Sequence, residues 1–204
     1  MAISLQKGQR VDLTKSNPGL KKVMVGLGWD PVQNSGKKGG LLGALFGGGG
    51  GGPEIDCDAS VIMLKDDKFV HKGDLVYFGN LKSSDQSITH TGDNLTGAGE
   101  GDDEQVFINL DQVSAEYNKL VFVVNIYDAK RRNQDFGMIQ NAFIRIQNDQ
   151  NNEELIRFNL TDNHTGKTTL IPGELYRDGK EWKFAAVGEA TNDVSLSEIV
   201  QKYS

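Results

Sequence analysis

The sequence predicts a mainly β protein, a two-sheet β-sandwich with short peripheral helices that include one at the C-terminus. Short apolar runs rich in β-branched and aromatic residues recur along the chain, among them Val23-Met24-Val25 and Phe143-Ile144-Arg145-Ile146, and polar or turn residues separate them. One run, Leu120-Val121-Phe122-Val123-Val124, is apolar without alternation, as expected of a strand covered on both faces. The period changes only near the end, where Ser195-Leu196-Ser197-Glu198 has the form of a capping box opening Ile199-Val200-Gln201-Lys202-Tyr203. Two sheets packed face to face are the economical way to bury such strands.

Taken in order, residues 3–13 hold two alternating runs around Lys7-Gly8 and read as a hairpin, followed by a turn at Asn17-Pro18-Gly19. Residues 20–30 read as a strand relaxed by Gly26 and Gly28 that delivers Asp30 to its tip. Residues 35–53 differ in kind, since Leu41, Leu42, Leu45 and Phe46 precede six consecutive glycines. Polyglycine buries no side chain and loses the most backbone entropy on ordering, so a flexible insertion is expected within a single domain spanning 1–204. Residues 54–64 resume as a strand that places Asp56 and Asp58 on one face and becomes apolar on both faces after Ser60. Further strands are expected at 74–78, 87–90, 104–110, 119–128, 142–146, 154–160, 167–171, 173–177 and 181–187, and the final helix should pack Leu196, Ile199, Val200 and Tyr203 on the sandwich.

Lys and Arg number 22 against 28 Asp and Glu, a net charge of -6, the wrong sign for binding a phosphate backbone, so nucleic acid is not an expected partner. Cys57 stands alone, which rules out an internal disulfide and suits a reducing compartment. Residues 1–10 lack the apolar core of a secretion signal, and no run approaches the ~20 apolar residues of a transmembrane segment. A cytoplasmic location is expected.

The most charged stretch is residues 93–104, where Asp93, Glu100, Asp102, Asp103 and Glu104 gather beside Asn94 with three glycines and no basic residue. Carboxylates this close repel one another, and a hard cation taking several oxygens relieves them, which points to Ca2+. Asp93 and Glu104 have the spacing of positions 1 and 12 of an EF-hand, but Leu95, Gly97 and Ala98 stand where ligands and the turn glycine belong, and strands flank the loop. The expectation is a glycine-bent loop between strands with its own ion geometry, against the alternative of a solvated acidic turn. Outside it, Asp30, Asp56 and Asp58 are further ligand candidates.

Catalytic patterns are absent. His71, His90 and His164 are scattered without zinc-ligand spacing, and no phosphate-cradling Gly-Lys-Ser/Thr or Gly-x-Ser-x-Gly elbow occurs. His90 is a candidate base or, more simply, a hydrogen-bonded support for the loop. Cys57 between two aspartates makes a poor thiolate. Arg145, Arg157 and Arg177 in expected strands are cross-strand partners for Glu154, Glu174 or Glu181, or a phosphate cluster if they converge.

Seven motifs occur in order: Ser4-Leu5-Gln6-Lys7-Gly8, Val25-Gly26-Leu27-Gly28-Trp29-Asp30, Asp56-Cys57-Asp58-Ala59-Ser60, His90-Thr91-Gly92-Asp93-Asn94-Leu95-Thr96-Gly97, Gly101-Asp102-Asp103-Glu104, Asn141-Ala142-Phe143-Ile144-Arg145, and Gly173-Glu174-Leu175-Tyr176-Arg177 with Glu181-Trp182-Lys183-Phe184. Through them the chain resembles the TerD family of bacterial tellurite-resistance and general stress proteins over nearly its whole length. The resemblance implies a calcium-binding β-sandwich without established catalytic activity, with Asp30, Asp56, Asp58, Asp93, Asn94, Glu100, Asp102, Asp103 and Glu104 as ion-binding candidates. It also implies partners among other stress and tellurite-resistance proteins, in a complex that includes a peripheral membrane association. The chain departs from the family in the glycine-rich insertion, in Cys57 between the two aspartates, in Asp135 where Asn is usual, and around Asn192-Asp193, which replace a C-terminal Gly-Gly stretch. The rival expectations are a metal-dependent enzyme acting on phosphate-containing substrates and a membrane-adjacent scaffold using residues 41–46.

Overall fold

The computed structural model describes residues 2–32, 55–92 and 101–204. The glycine-rich stretch at 35–53 and residues 93–100 of the acidic loop lie outside the described residues. Twelve strands among the described residues form two six-stranded sheets. The first sheet runs β1 (Ile3–Leu5), β10 (Glu154–Asn159), β9 (Ile139–Asn148), β3 (Lys22–Pro31), β7 (Glu104–Asn109), β6 (Ile88–His90). The second runs β2 (Arg10–Asp12), β12 (Glu181–Thr191), β11 (Thr169–Asp178), β8 (Lys119–Ile126), β4 (Cys57–Leu64), β5 (Leu75–Val76). Their inner faces interdigitate into one core that includes Val25, Leu27, Val106, Ile108, Val61, Phe122 and Phe184, as the mainly β pattern requires.

Each strand's pattern follows from what covers it. β7 alternates buried and half-buried residues, because only one of its faces meets the core. β4 is buried throughout. Its Cys57, Ala59, Val61 and Met63 face the core between the sheets, and Ile62 and Leu64 face outward beneath α2 (Leu196–Gln201), whose Ile199 sits among Val121, Val123 and Ile171 with Leu196, Val200 and Tyr203 around it. Ser195 caps α2 by accepting the Glu198 N–H, and Glu198 in return accepts the Val194 N–H. The terminal helix therefore forms at the capping box and packs the residues that its sequence pattern selects.

Three details differ from the expected elements. Residues 3–13 are not a hairpin, because β1 pairs parallel with β10 in the first sheet while β2 pairs antiparallel with β12 in the second. Gly8, at φ +83°, turns the chain across the sandwich edge, where its N–H donates to the Ala186 carbonyl. The stretch at 74–78 contributes only the two-residue β5, after a 3-10 turn at Lys72–Asp74. The runs expected at 167–171 and 173–177 belong to one strand, β11, whose register shifts between Ile171 and Gly173, around Pro172, which has no N–H to give the ladder.

Candidate functional site

The outer face of β3 explains why glycines alternate in Gly26-Leu27-Gly28. A Cβ at Gly26 would lie 2.3 Å from the Asp102 carboxylate, and one at Gly28 would lie 2.4 Å from the Phe143 ring and 2.7 Å from the Gly101 carbonyl oxygen. The bare backbone lets residues 101–103 lie flat on the sheet. Arg145 is the register partner of Gly26 on β9, so its guanidinium meets Asp102 there, Nε to Oδ1 at 2.7 Å and Nη2 to Oδ2 at 2.8 Å. Gln105 donates a third hydrogen bond to Asp102, whose side chain is 0% exposed. Arg145 also reaches Glu154, which takes Arg157 in a two-pronged pair. Hydrogen bonding to Asp102 outweighs burial and raises the Arg145 pKa further.

Beyond this anchor the chain joins the sheet ladder. The Asp103 N–H donates to the Leu27 carbonyl and the Asp103 carboxylate accepts the Trp29 N–H at 2.7 Å. The next residue, Glu104, points into the sandwich and crosses it. Its Oε2 accepts the Ala59 N–H at 2.6 Å, and the Ala59 carbonyl lies 3.1 Å from His90 Nε2. The Gly92 N–H donates to His90 Nδ1, so Nε2 carries the ring proton and faces the Ala59 carbonyl, with Glu104 at 3.4 Å. Side chains from β6 and β7 thus take the edge of β4 that the short β5 leaves unpaired. His90 supports the structure here.

Asp56 and Asp58 flank Cys57 at the start of β4, with Asp56 lying 3.4 Å from Arg132 and Asp58 opposite Asn125 in the register. Arg132 belongs to α1 (Ala129–Arg132), a single helical turn. Burial first, and then the charges of Asp58, Asp56, Glu104 and Asp103, push the Cys57 thiol far up, so it is no nucleophile.

Asp30, next to last in β3, stands at the rim of a cleft of about 740 Å3 that Trp29, Gly101, Asn141, Phe143 and Arg157 also line. Asn141 holds it by donating from Nδ2 at 2.8 Å, from a left-handed backbone with φ 56°. Asn tolerates this backbone conformation better than most side chains. Burial pushes the Asp103 carboxyl up to about 6, with Asp30, Asp102 and Glu104 adding repulsion against the favourable Trp29 N–H. Asp30, Asp102 and Glu104 thus act on Asp103, and Asp58, Asp56, Glu104 and Asp103 act on Cys57. Asp102 is set apart by its pairing with Arg145. Asp93, Asn94 and Glu100 lie outside the described residues. Among the described residues, no three acidic, His or Cys side chains form a group that could hold a metal ion. The donors present are nonetheless hard oxygens, and the charges of Asp30, Asp102 and Glu104 add to the burial that raises Asp103, so the residues fit Ca2+ in kind.

Asn141 and Arg145 carry no signal as site residues in the sequence beyond the motif that contains them. The pattern is matched by a profile of the TerD domain over residues 1–203. The chain belongs to the TerD family. Stress response protein SCP2 of Bacillus subtilis (strain 168) is 62% identical over 203 residues, covering 100% of each chain. Tellurium resistance protein TerD of Serratia marcescens is 44% identical over 190 residues, covering 93% of this chain and 91% of its own. Among solved structures, a homologue of the telluride resistance protein TerD from Streptomyces coelicolor A3(2) superimposes with TM-score 0.63 at 21% identity, covering 91% of this chain and 99% of that one, which shows that the two share the TerD sandwich. No described helix is long and apolar enough to cross a membrane.

Proposed function

We propose that this TerD protein is a non-enzymatic, calcium-binding stress-response protein whose acidic end, once the ion binds, presents a surface to other resistance proteins. The observation that carries this reading is the Asp103 carboxyl, held at about 6 by burial and by the charges of Asp30, Asp102 and Glu104, with Asp56 and Asp58 adding negative charge around Cys57. Relatives named for stress response and tellurium resistance support the biological setting. Ca2+ supplies charge neutralisation and cross-linking of chain segments. Asp103 would hold it together with Asp30, and Asp56, Asp58 and Glu104 are further candidates among the described residues; Asp93, Asn94 and Glu100 are candidates from the sequence alone. Asp102 acts as the anchor that fixes where Asp103 and Glu104 emerge.

The experiment is calorimetric titration of chelator-stripped protein with CaCl2, paired with thermal melts. An ion at 100 times its Kd adds about 2.7 kcal/mol if it binds only the folded state. Asp103→Asn should weaken binding more than tenfold, since one ligand charge is worth over ~1.4 kcal/mol in a shared site. Absence of binding, or an unchanged affinity in Asp103→Asn, would overturn the assignment. Metal-dependent phosphatase turnover that disappears in the same variant would replace it with the enzymatic reading.

A further inference from the structure

At the other end of the sandwich the charge has the opposite sign. β3 begins there at Lys22, eight residues from Asp30, or about 26 Å along an extended strand. The approach to β3, the segment after β7 and the β11–β12 turn enclose a cleft of about 760 Å3. Lys15, Lys21, Arg177 and Lys180 line it against Asp111 and Glu181. Both acids are engaged, Asp111 at 3.9 Å from Lys21 and Glu181 by the Thr14 hydroxyl. Among the described residues, Lys15, Lys180 and Arg177 make no ion pair.

Arg177 is the decisive group. Its Nε donates to the Tyr117 carbonyl at 2.9 Å and its Nη2 to the Val113 carbonyl at 2.7 Å, and its guanidinium lies 4.3 Å from the centre of the Trp182 ring. The contacts fix the fork in place without neutralising it, and burial lowers its pKa with no acid opposing. Of its five N–H donors, two are committed to carbonyls. A rigid, part-buried guanidinium without a counter-ion, with Lys180 and Lys15 at the mouth, the latter also facing the charge of Asp178 beyond ion-pair distance, is the arrangement that recognises an oxyanion by charge and by paired donors.

We propose that this cleft binds a phosphate group, with Arg177 as the oriented donor and Lys15 and Lys180 as mobile ones. Its volume exceeds that of a single phosphate and suits a phosphomonoester of metabolite size. The proposal is independent of calcium at the acidic end.

Nuclear magnetic resonance of 15N-labelled protein tests it, in buffer without added calcium. The two indole N–H signals report the two ends separately, Trp182 for this cleft and Trp29 for the acidic end, and Trp29→Phe assigns them. Titration with inorganic phosphate, and in parallel with adenosine monophosphate, should shift the Trp182 signal saturably at millimolar concentration or below and leave Trp29 in place. Tighter binding of the monophosphate would assign the ligand as a phosphomonoester, and equal binding as the free ion. Lys15→Ala/Lys180→Ala, which removes two exposed charges without touching the fold, should weaken binding about tenfold at low salt. Arg177→Lys, if it folds, should abolish saturation. No saturable shift of Trp182, an affinity indifferent to the lysine variant, or a response confined to Trp29 would each overturn the proposal.

Discussion

Arg145→Met removes the guanidinium that holds Asp102 and leaves the rest of the first sheet intact. The Asp102 side chain is 0% exposed and takes two of its hydrogen bonds from Arg145, so the variant strands a carboxylate with only Gln105 as a described donor. Breaking a buried pair from one side costs about 3–5 kcal/mol, and Glu154 adds little because Arg157 still holds it. With a urea slope of about 2 kcal/mol/M the midpoint should fall by roughly 1.5–2.5 M. Asp102→Asn should cost less, about 1–2 kcal/mol, since the amide oxygen still accepts from Arg145 and Arg145 keeps Glu154. Gly26→Ala attacks the same pair from below, because the new methyl occupies the place of the carboxylate. The combination Gly26→Ala/Arg145→Met should therefore cost clearly less than the two single changes added together. Urea denaturation followed by circular dichroism reads all four proteins. A loss below about 1 kcal/mol for Arg145→Met, or strict additivity with Gly26→Ala, would refute the view that this pair pins residues 101–103.

Other consequences are simpler to read. Asn141→Gly keeps the left-handed backbone but loses the hydrogen bond to Asp30, whereas Asn141→Ala also adds strain of about 1 kcal/mol; thermal melts should rank Ala below Gly, and calcium affinity should fall in both. Removing the cap in Ser195→Ala should cost about 1 kcal/mol, visible as a midpoint shift in urea. Burial pushes the Asp85 carboxyl up, but hydrogen bonds from Ser87, Ser114 and Ser83 outweigh it and hold the group below its usual 3.8. A depressed acid adds stability above its unfolded value that is lost as pH falls through the folded one. Asp85→Asn should therefore flatten the decline in stability below about pH 4, as measured by urea midpoints across that range.

Strand period carried most of the architecture into the sequence, since alternation and continuous apolar runs mark how many faces of a strand are covered. What alternation cannot state is which sheet a strand joins, and that is how residues 3–13 read as a hairpin when β1 and β2 part into opposite sheets. The acidic residues were legible as a group because charge density needs no partner to be visible. Asp102 read as a ligand like its neighbours, because nothing local shows that Arg145, 43 residues away and inside an apolar run, meets it across two glycines. Those glycines were visible as a relaxed strand, but the object that required them was not. Arg177 had the opposite fate: its expected acidic partners, Glu174 and Glu181, pair instead with Lys119 and Thr14, leaving it to main-chain carbonyls.

The edge of β4 at Ala59 has a consequence for how the molecule opens. Its N–H and its carbonyl, which belong to two successive peptide groups, are held by residues of the opposite sheet, so the backbone on both sides of this residue belongs to both halves of the sandwich at once. Strand fraying cannot release it, because the bonds do not run to a neighbouring strand. Only separation of the two sheets frees the Ala59 amide, and its hydrogen exchange should report the complete parting of the layers, while amides at the rims exchange through smaller openings.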